Sequence, residues 1–168
     1  MAKLEILRYP DKRLRNKALP VTEFDASLRT LCENMAETMY AAPGIGLAAI
    51  QVNVPLRVVV IDLSENKSEL QILINPEVIS SEGSVSMQEG CRSVPEVFAD
   101  VERAAQVTVR AQGLDGEPFE IEADELLAVC IQHEIDHLDG KVFVDYLSRM
   151  KQERIRKKLL KEARLAAA

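Results

Sequence analysis

With 168 residues, the chain is long enough to bury a core as a single domain. Its 47% hydrophobic and 29% charged residues, with no Trp, are the composition of a soluble globular protein, and no run approaches the ~20 apolar residues of a membrane span. The net charge of -6 is unevenly spread, an acidic body ending in a basic tail, which bears on partners rather than on fold.

The start, MAKLEILRYPD, has neither the apolar run of a signal peptide nor an Arg/Ser-rich transit pattern, so a cytoplasmic protein or an already trimmed mature form is expected. Residues 1–20 are turn-rich, with Tyr9-Pro10-Asp11 as a turn signal. Asp25 suits an N-cap, and Leu28, Leu31, Cys32, Met35 and Met39 follow at helical spacing, predicting a helix to about Ala41. Pro43 ends it and opens PGIGLAAIQ, residues 43–51. There Gly44, Gly46, Ala48 and Ala49 strip side chains from the backbone, so another strand, a ligand or a tight turn belongs against it. Gln51, a lone amide among apolar neighbours, needs partners if buried.

Arg57–Leu63 and Gln71–Asn75 read as buried strands, bounded by SENKSE and by Asn75-Pro76. Val78-Ile79 and Ser84–Met87 are shorter strand candidates. Val107, Val109 and Ala111 alternate with polar residues, as do Phe119, Ile121 and Ala123, and GLDGEP between them predicts an antiparallel hairpin. The hairpin leads into DELLAVCIQHEIDHL, Asp124 to Leu138, a helix without Pro or Gly and with Gly140 where a C-cap would sit. Lys141–Tyr146 reads as a short strand-like piece. Ser148 caps a final helix with a narrow stripe of Ile155, Leu159 and Leu160. The expected fold is α+β, with short antiparallel β-sheets packed around a central metal-binding helix and a C-terminal helix. Residues 1–147 form a single catalytic domain, to which the basic helix 148–168 is attached. Its eight Lys/Arg against Glu153 and Glu162 give +6, leaving -12 on the rest.

Helical spacing puts Leu126, Cys130, His133 and His137 on one stripe. The only two His of the chain stand four residues apart beside Glu134, so both can reach one cation with a candidate general base next to them. A catalytic site takes a third protein ligand. The extended motif HExxHxxGxxH matches as far as Gly140, but Phe143 stands in the place of its last His. Glu153 and Glu162 lie among Lys and Arg on the basic helix, a poor setting for a buried ligand. Upstream, Cys91 follows Gly90 and precedes Pro95, read as a loop position from which a thiolate completes Cys-His-His. Cys32 and Cys130 read as small buried hydrophobes, and the odd Cys count argues against a disulfide framework. Asp136 orients a ligand or caps locally.

GIGLAAIQ at 44–51, EGCRS at 89–93 and HEIDH at 133–137 together resemble the three motifs of peptide deformylases. ILRYPDKRLRNKALPV and AAPGIGLAAIQ resemble the family's N-terminal third, and the similarity runs from about Ile6 into the C-terminal helix. Arg92 departs from the pattern, since bacterial members usually carry an apolar residue there, most often Leu. The resemblance implies metal-dependent hydrolysis of the N-formyl group from the formyl-methionine of nascent polypeptides, releasing formate. Cys91, His133 and His137 would hold one metal per chain, Fe2+ in cells with Zn2+, Ni2+ or Co2+ as substitutes. Glu134 would move protons, and the Gln51 amide and the Arg92 backbone N–H would bind the oxyanion. Substrate binding falls to Gly44, Ile45, Gly46, Met87, Glu89, Gly90, Leu126 and Val129. The expected partners are formyl-methionyl nascent peptides and, through the basic helix, the ribosome, with no membrane and a monomeric chain in a bacterial-type cytoplasm or an organelle. A metallopeptidase and a non-catalytic, RNA-binding homologue are the competing readings.

Overall fold

The computed structural model describes residues 3–167. Asp25 caps helix α1 (Ala26–Ala41), its carboxylate accepting from the Leu28 N–H at 3.2 Å, and Leu28, Cys32, Met35 and Met39 form the buried face. The glycine-rich segment supplies strand β1 (Gly46–Ala48) and a 3-10 turn (Ala49–Val52). Strands β2 (Val58–Ile61), β3 (Gln71–Glu82), β6 (Gln106–Gln112) and β7 (Pro118–Asp124) join it in one antiparallel sheet, ordered β1-β2-β3-β6-β7. Strands β4 (Val85–Cys91) and β5 (Val94–Arg103) pair separately as a two-stranded hairpin.

The unbroken apolar run of β2 is explained by burial on both faces. Val58 and Val60 pack with α1 residues such as Cys32 and Met35, whereas Val59 and Ile61 join the cluster that holds helix α2 (Glu125–Leu138) through Ala128, Ile131 and Leu138. The second hairpin has the predicted register, Val107 opposite Ala123 and Val109 opposite Ile121, and β7 runs directly into α2. No helix is long and apolar enough to cross a membrane among the described residues.

Four expectations change. Strand β3 does not stop at Asn75-Pro76. A register shift between Ile74 and Glu77 lets the strand pass the proline where its missing N–H is not needed. Asn75, at φ 53°, holds the bend by exchanging hydrogen bonds with both backbone groups of Val21 at 2.8 and 3.0 Å. Strand β5 had no counterpart in the sequence reading, because charges and Pro95 interrupt its apolar pattern. Cys91 is not on a loop but is the last residue of β4, paired with Val94 across the Arg92–Ser93 turn after a bulge at Gly90. Finally, Phe143–Tyr146 is a 3-10 turn rather than a strand, with Phe143 and Val144 buried.

Helix α3 (Arg149–Ala167) starts where the Ser148 hydroxyl accepts from the Lys151 N–H at 3.2 Å. Leu159 is buried in the same core cluster as α2, with Ile155 half-buried beside it, while Leu160 and Leu165 are exposed. The end of α2 is built against the N-terminal segment. Gly140 has φ 79°, and a Cβ there would lie 2.5 Å from the Arg15 carbonyl oxygen. Arg15 in turn donates to the Gly140 carbonyl and pairs with Asp145.

Gly140→Ala is therefore expected to lower stability by about 2 kcal/mol, through a strained backbone and a forced separation from Arg15. Urea unfolding checks this, and an unchanged midpoint would show that the two segments separate at no cost.

Candidate metal centre

Helix α2 delivers His133 and His137 one turn apart, with ring centroids 5.0 Å from each other. Cys91 arrives from β4, its Sγ 3.4 Å from His137 Nε2. The potential ligand atoms of Cys91, His133 and His137 all lie within 4.8 Å of one another. His133 Nδ1 lies 2.9 Å from Glu89 Oε1, and since a carboxylate only accepts, Nδ1 carries the proton and Nε2 is left free for coordination. A carboxylate behind a ligating imidazole is the usual support of a metal-binding His. Burial pulls His137 well below its ordinary pKa and so keeps it neutral, the ligating form. Burial also opposes charge on His133, but hydrogen bonds to Cys91 and Glu89 outweigh it and raise its pKa. A cation bound there takes the place of that proton. The donor set fits a divalent transition metal.

Cys32 and Cys130 are buried and Cys91 is only half-buried. Burial pushes Cys32 up to about 11 and Cys130 well above its ordinary value, so both stay protonated in the core. Phe143, in the position where an extended HExxHxxGxxH site would place a third His, packs its ring against His133 at 6.1 Å. No imidazole competes with Cys91 for the third position.

Behind the ligands lies a buried charge cluster that the sequence reading missed. Arg103 is the last residue of β5. Its Nε and Nη2 donate to the two Glu89 oxygens at 2.6 and 2.9 Å, and Nη1 donates to Asp136 at 2.8 Å. Tyr146 Oη donates to the same Asp136 oxygen at 2.6 Å, and its ring lies 5.0 Å from the Arg103 guanidinium. Burial would raise the Glu89 carboxyl, but its bonds from His133 and Arg103 hold it below the usual range. Asp136 thus acts one step removed, positioning Arg103. The alternation of Val97, Ala99, Val101 and Arg103 on one side of β5 was the available signal, since an Arg at an inward position needs buried acidic partners.

Glu134 is buried, and its Oε1 has no hydrogen-bond partner among the described residues. Burial pushes its carboxyl up to about 7. Gly46 makes room for it: a Cβ at Gly46 would sit 2.6 Å from Glu134 Oε2 and 3.0 Å from Cys130 Sγ. Gln51 is held at both ends. Its Oε1 accepts from the Ala48 N–H at 2.9 Å, and its Nε2 donates to Ser93 Oγ at 3.0 Å and to Cys91 Sγ at 3.4 Å. Ser93, also missed, fixes the amide orientation.

A cavity of ≈ 330 Å³ opens beside these groups. Gly44, Ile45, Gly46 and Gly90 form its backbone walls, and Met87, Leu126 and Val129 line it with apolar side chains. Leu126, 47% exposed, faces this cavity rather than the core. Phe98, 66% exposed, was missed; its ring covers Gly90, where a Cβ would meet it at 2.6 Å. Glu89 also lines the cavity, while its carboxylate oxygens are engaged by Arg103 and His133. The Arg92 side chain crosses the cleft, Nη2 donating to the Pro43 carbonyl at 2.6 Å.

Residues 3–153 match the family model described as Polypeptide deformylase. The chain is 62% identical over 164 residues to "Peptide deformylase 2" of Nitrosomonas europaea, covering 98% of this chain and 89% of that one. It is similar to a peptide deformylase crystal structure from Legionella pneumophila, with a TM-score of 0.94 and 51% identity over 99% of this chain and 98% of that one. The peptide deformylase of Ehrlichia chaffeensis in complex with actinonin superposes with a TM-score of 0.91 at 38% identity, covering 96% and 98%.

Cys91→Ala is expected to emerge without bound metal, whereas Cys32→Ala and Cys130→Ala keep it; a fully metallated Cys91→Ala protein would end the three-donor reading. Arg103→Met leaves Glu89 and Asp136 buried without their cation. It should cost about 3–5 kcal/mol of stability and weaken metal binding roughly 10–100-fold, read by unfolding and by metal titration.

Proposed function

The chain belongs to the peptide deformylase family, metal-dependent hydrolases that remove the N-formyl group from nascent polypeptides, and we propose that the side chains around Cys91, His133 and His137 divide that reaction among them. The observation that carries this reading is the convergence of those three donors beside Glu134 and Gln51 at the mouth of an apolar cavity. Cys91, His133 and His137 hold the metal. When bound, it supplies Lewis acidity, lowering the pKa of a water towards ~7. Ferrous iron is the assigned ion, one per chain, with zinc, nickel or cobalt able to substitute in the same donors.

The methionine side chain enters the cavity between Met87, Leu126 and Val129. The peptide backbone lies along Gly44–Gly46 as an added strand, which the absent side chains permit. Glu134 accepts a proton from the attacking water as the water oxygen bonds to the formyl carbon. The charge that develops on the formyl oxygen is met by Gln51 Nε2 and the Arg92 backbone N–H. As the C–N bond breaks, Glu134 returns its proton to the departing amine, giving formate and a free Met amino group. A carboxyl raised towards neutrality by burial is suited to both transfers.

The basic helix is assigned to the ribosome. Lys157, Lys158 and Lys161 are exposed on α3, the positive end of an otherwise acidic protein, and can contact RNA phosphates. Residues 1–147 then form the catalytic body and 148–168 its attached docking helix, on a monomer acting in the cytoplasm where nascent chains emerge.

Glu134→Ala is expected to retain metal while turnover of a formyl-Met peptide falls by about 10²-fold or more, assayed without oxygen beside the unformylated peptide. A metal-free Glu134→Ala protein would make Glu134 a ligand instead. Because Leu159 belongs to the core, docking is tested by neutralising charge rather than by truncation. Replacing Lys157, Lys158 and Lys161 by Gln should weaken ribosome co-sedimentation and flatten its salt dependence. Equal binding by both proteins at low salt would remove the docking role.

A further inference from the structure

A second groove, of ≈ 750 Å³, joins the catalytic cavity, and Arg92 and Pro95 line both. Following the backbone away from the metal donors leads into it. Gly46 touches Glu134, Pro43 holds Arg92, and Ala42, Ala41 and Thr38 wall the groove. A peptide paired with Gly44–Gly46 with its formyl end at Glu134 therefore sends its later residues past Arg92 into this groove.

The groove is basic. Lys3, Arg8 and Arg92 are exposed on it and form no ion pair among the described residues. Arg13 is taken by Asp11 at 2.8 Å, which leaves Glu5 as the opposing charge on its wall, and Glu96 lies on the cavity side. Pro43 occupies one N–H of the Arg92 guanidinium and fixes its plane, while four N–H donors remain for a carboxylate.

We propose that this groove is an extended substrate subsite in which Arg92, seconded by Arg8 and Lys3, selects formyl-methionyl chains bearing Asp or Glu in the second to fourth positions. The inference rests on the deformylase reading and names the substrate class that the site prefers. Arg92 acts in it through its side chain, separately from its backbone N–H.

The test compares formyl-Met-Ala-Asp-Ala with formyl-Met-Ala-Lys-Ala on the metal-loaded full-length enzyme. The wild type should favour the Asp peptide about three- to fivefold in kcat/KM, the scale of a partly exposed ion pair, with the difference in KM. The ratio should approach one in Arg92→Leu, shrink in Arg8→Gln, return in part in Arg92→Lys, and fall at 0.5 M salt, where the shortened Debye length screens an exposed ion pair. Equal kcat/KM for the two peptides in the wild type, or a ratio that survives Arg92→Leu, overturns the subsite. Failure of the wild type to release formate from either peptide would instead overturn the deformylase reading itself.

Discussion

The buried guanidinium of Arg103 is the interaction on which the metal centre depends. A two-stranded hairpin is marginal by itself, and β4-β5 stands apart from the main sheet. Arg103 attaches it to α2 by bonding Glu89 of the hairpin and Asp136 of the helix at once. Gln132 adds a second tie, exchanging hydrogen bonds with both backbone groups of Ala104 just beyond β5. Burying these charges carries a desolvation cost that only a saturated set of partners offsets. The geometry that results is specific. Glu89 and Cys91 are two residues apart on β4, so they face the same side and reach α2 together. One fixes the His133 ring while the other stands beside His137.

The opposite wall of the cleft is set by what is missing from it. Gly46 has no side chain, and the volume a Cβ would fill is taken by the Glu134 carboxylate and the Cys130 thiol. That close approach buries Glu134, and burial moves its carboxyl towards neutrality. Gln51 is fixed at both ends, its Oε1 by the Ala48 N–H and its Nε2 by Ser93. The missing side chain at Gly46 thus shapes the cleft wall and sets the protonation of the neighbouring carboxylate together.

Charge is arranged on two scales. Across the molecule, an acidic body carries a positive C-terminal helix, a long-range asymmetry suited to orienting the protein on a polyanion. Close to the cleft, a few unpaired cations around Arg92 oppose the acidic background and act only within about one Debye length of ~8–10 Å.

His133 and His137 could be paired from sequence because a helix places residues four apart on one face whatever surrounds it. The same local rules served for α1, for β2 and for the β6-β7 hairpin, where periodicity, caps and turn residues agree. Cys91 was recognisable as the third donor from its motif, yet its place at the end of a strand was not, since strand β5 shows its pattern only once Arg103 is known to face inward. The proline in β3 misled for a related reason: a bulge that accommodates it is a property of strand pairing, not of the strand. Ser93 and Phe98 carry no local signature, and the alternation that points Arg103 inward names none of its partners, because each acquires its role from residues on other elements that the chain brings alongside. The pair of imidazoles and the helix that presents them were legible in the sequence, since both follow from spacing along one segment. What braces those side chains became visible only in the packed fold, because a buried charge declares its purpose through partners distant in the chain.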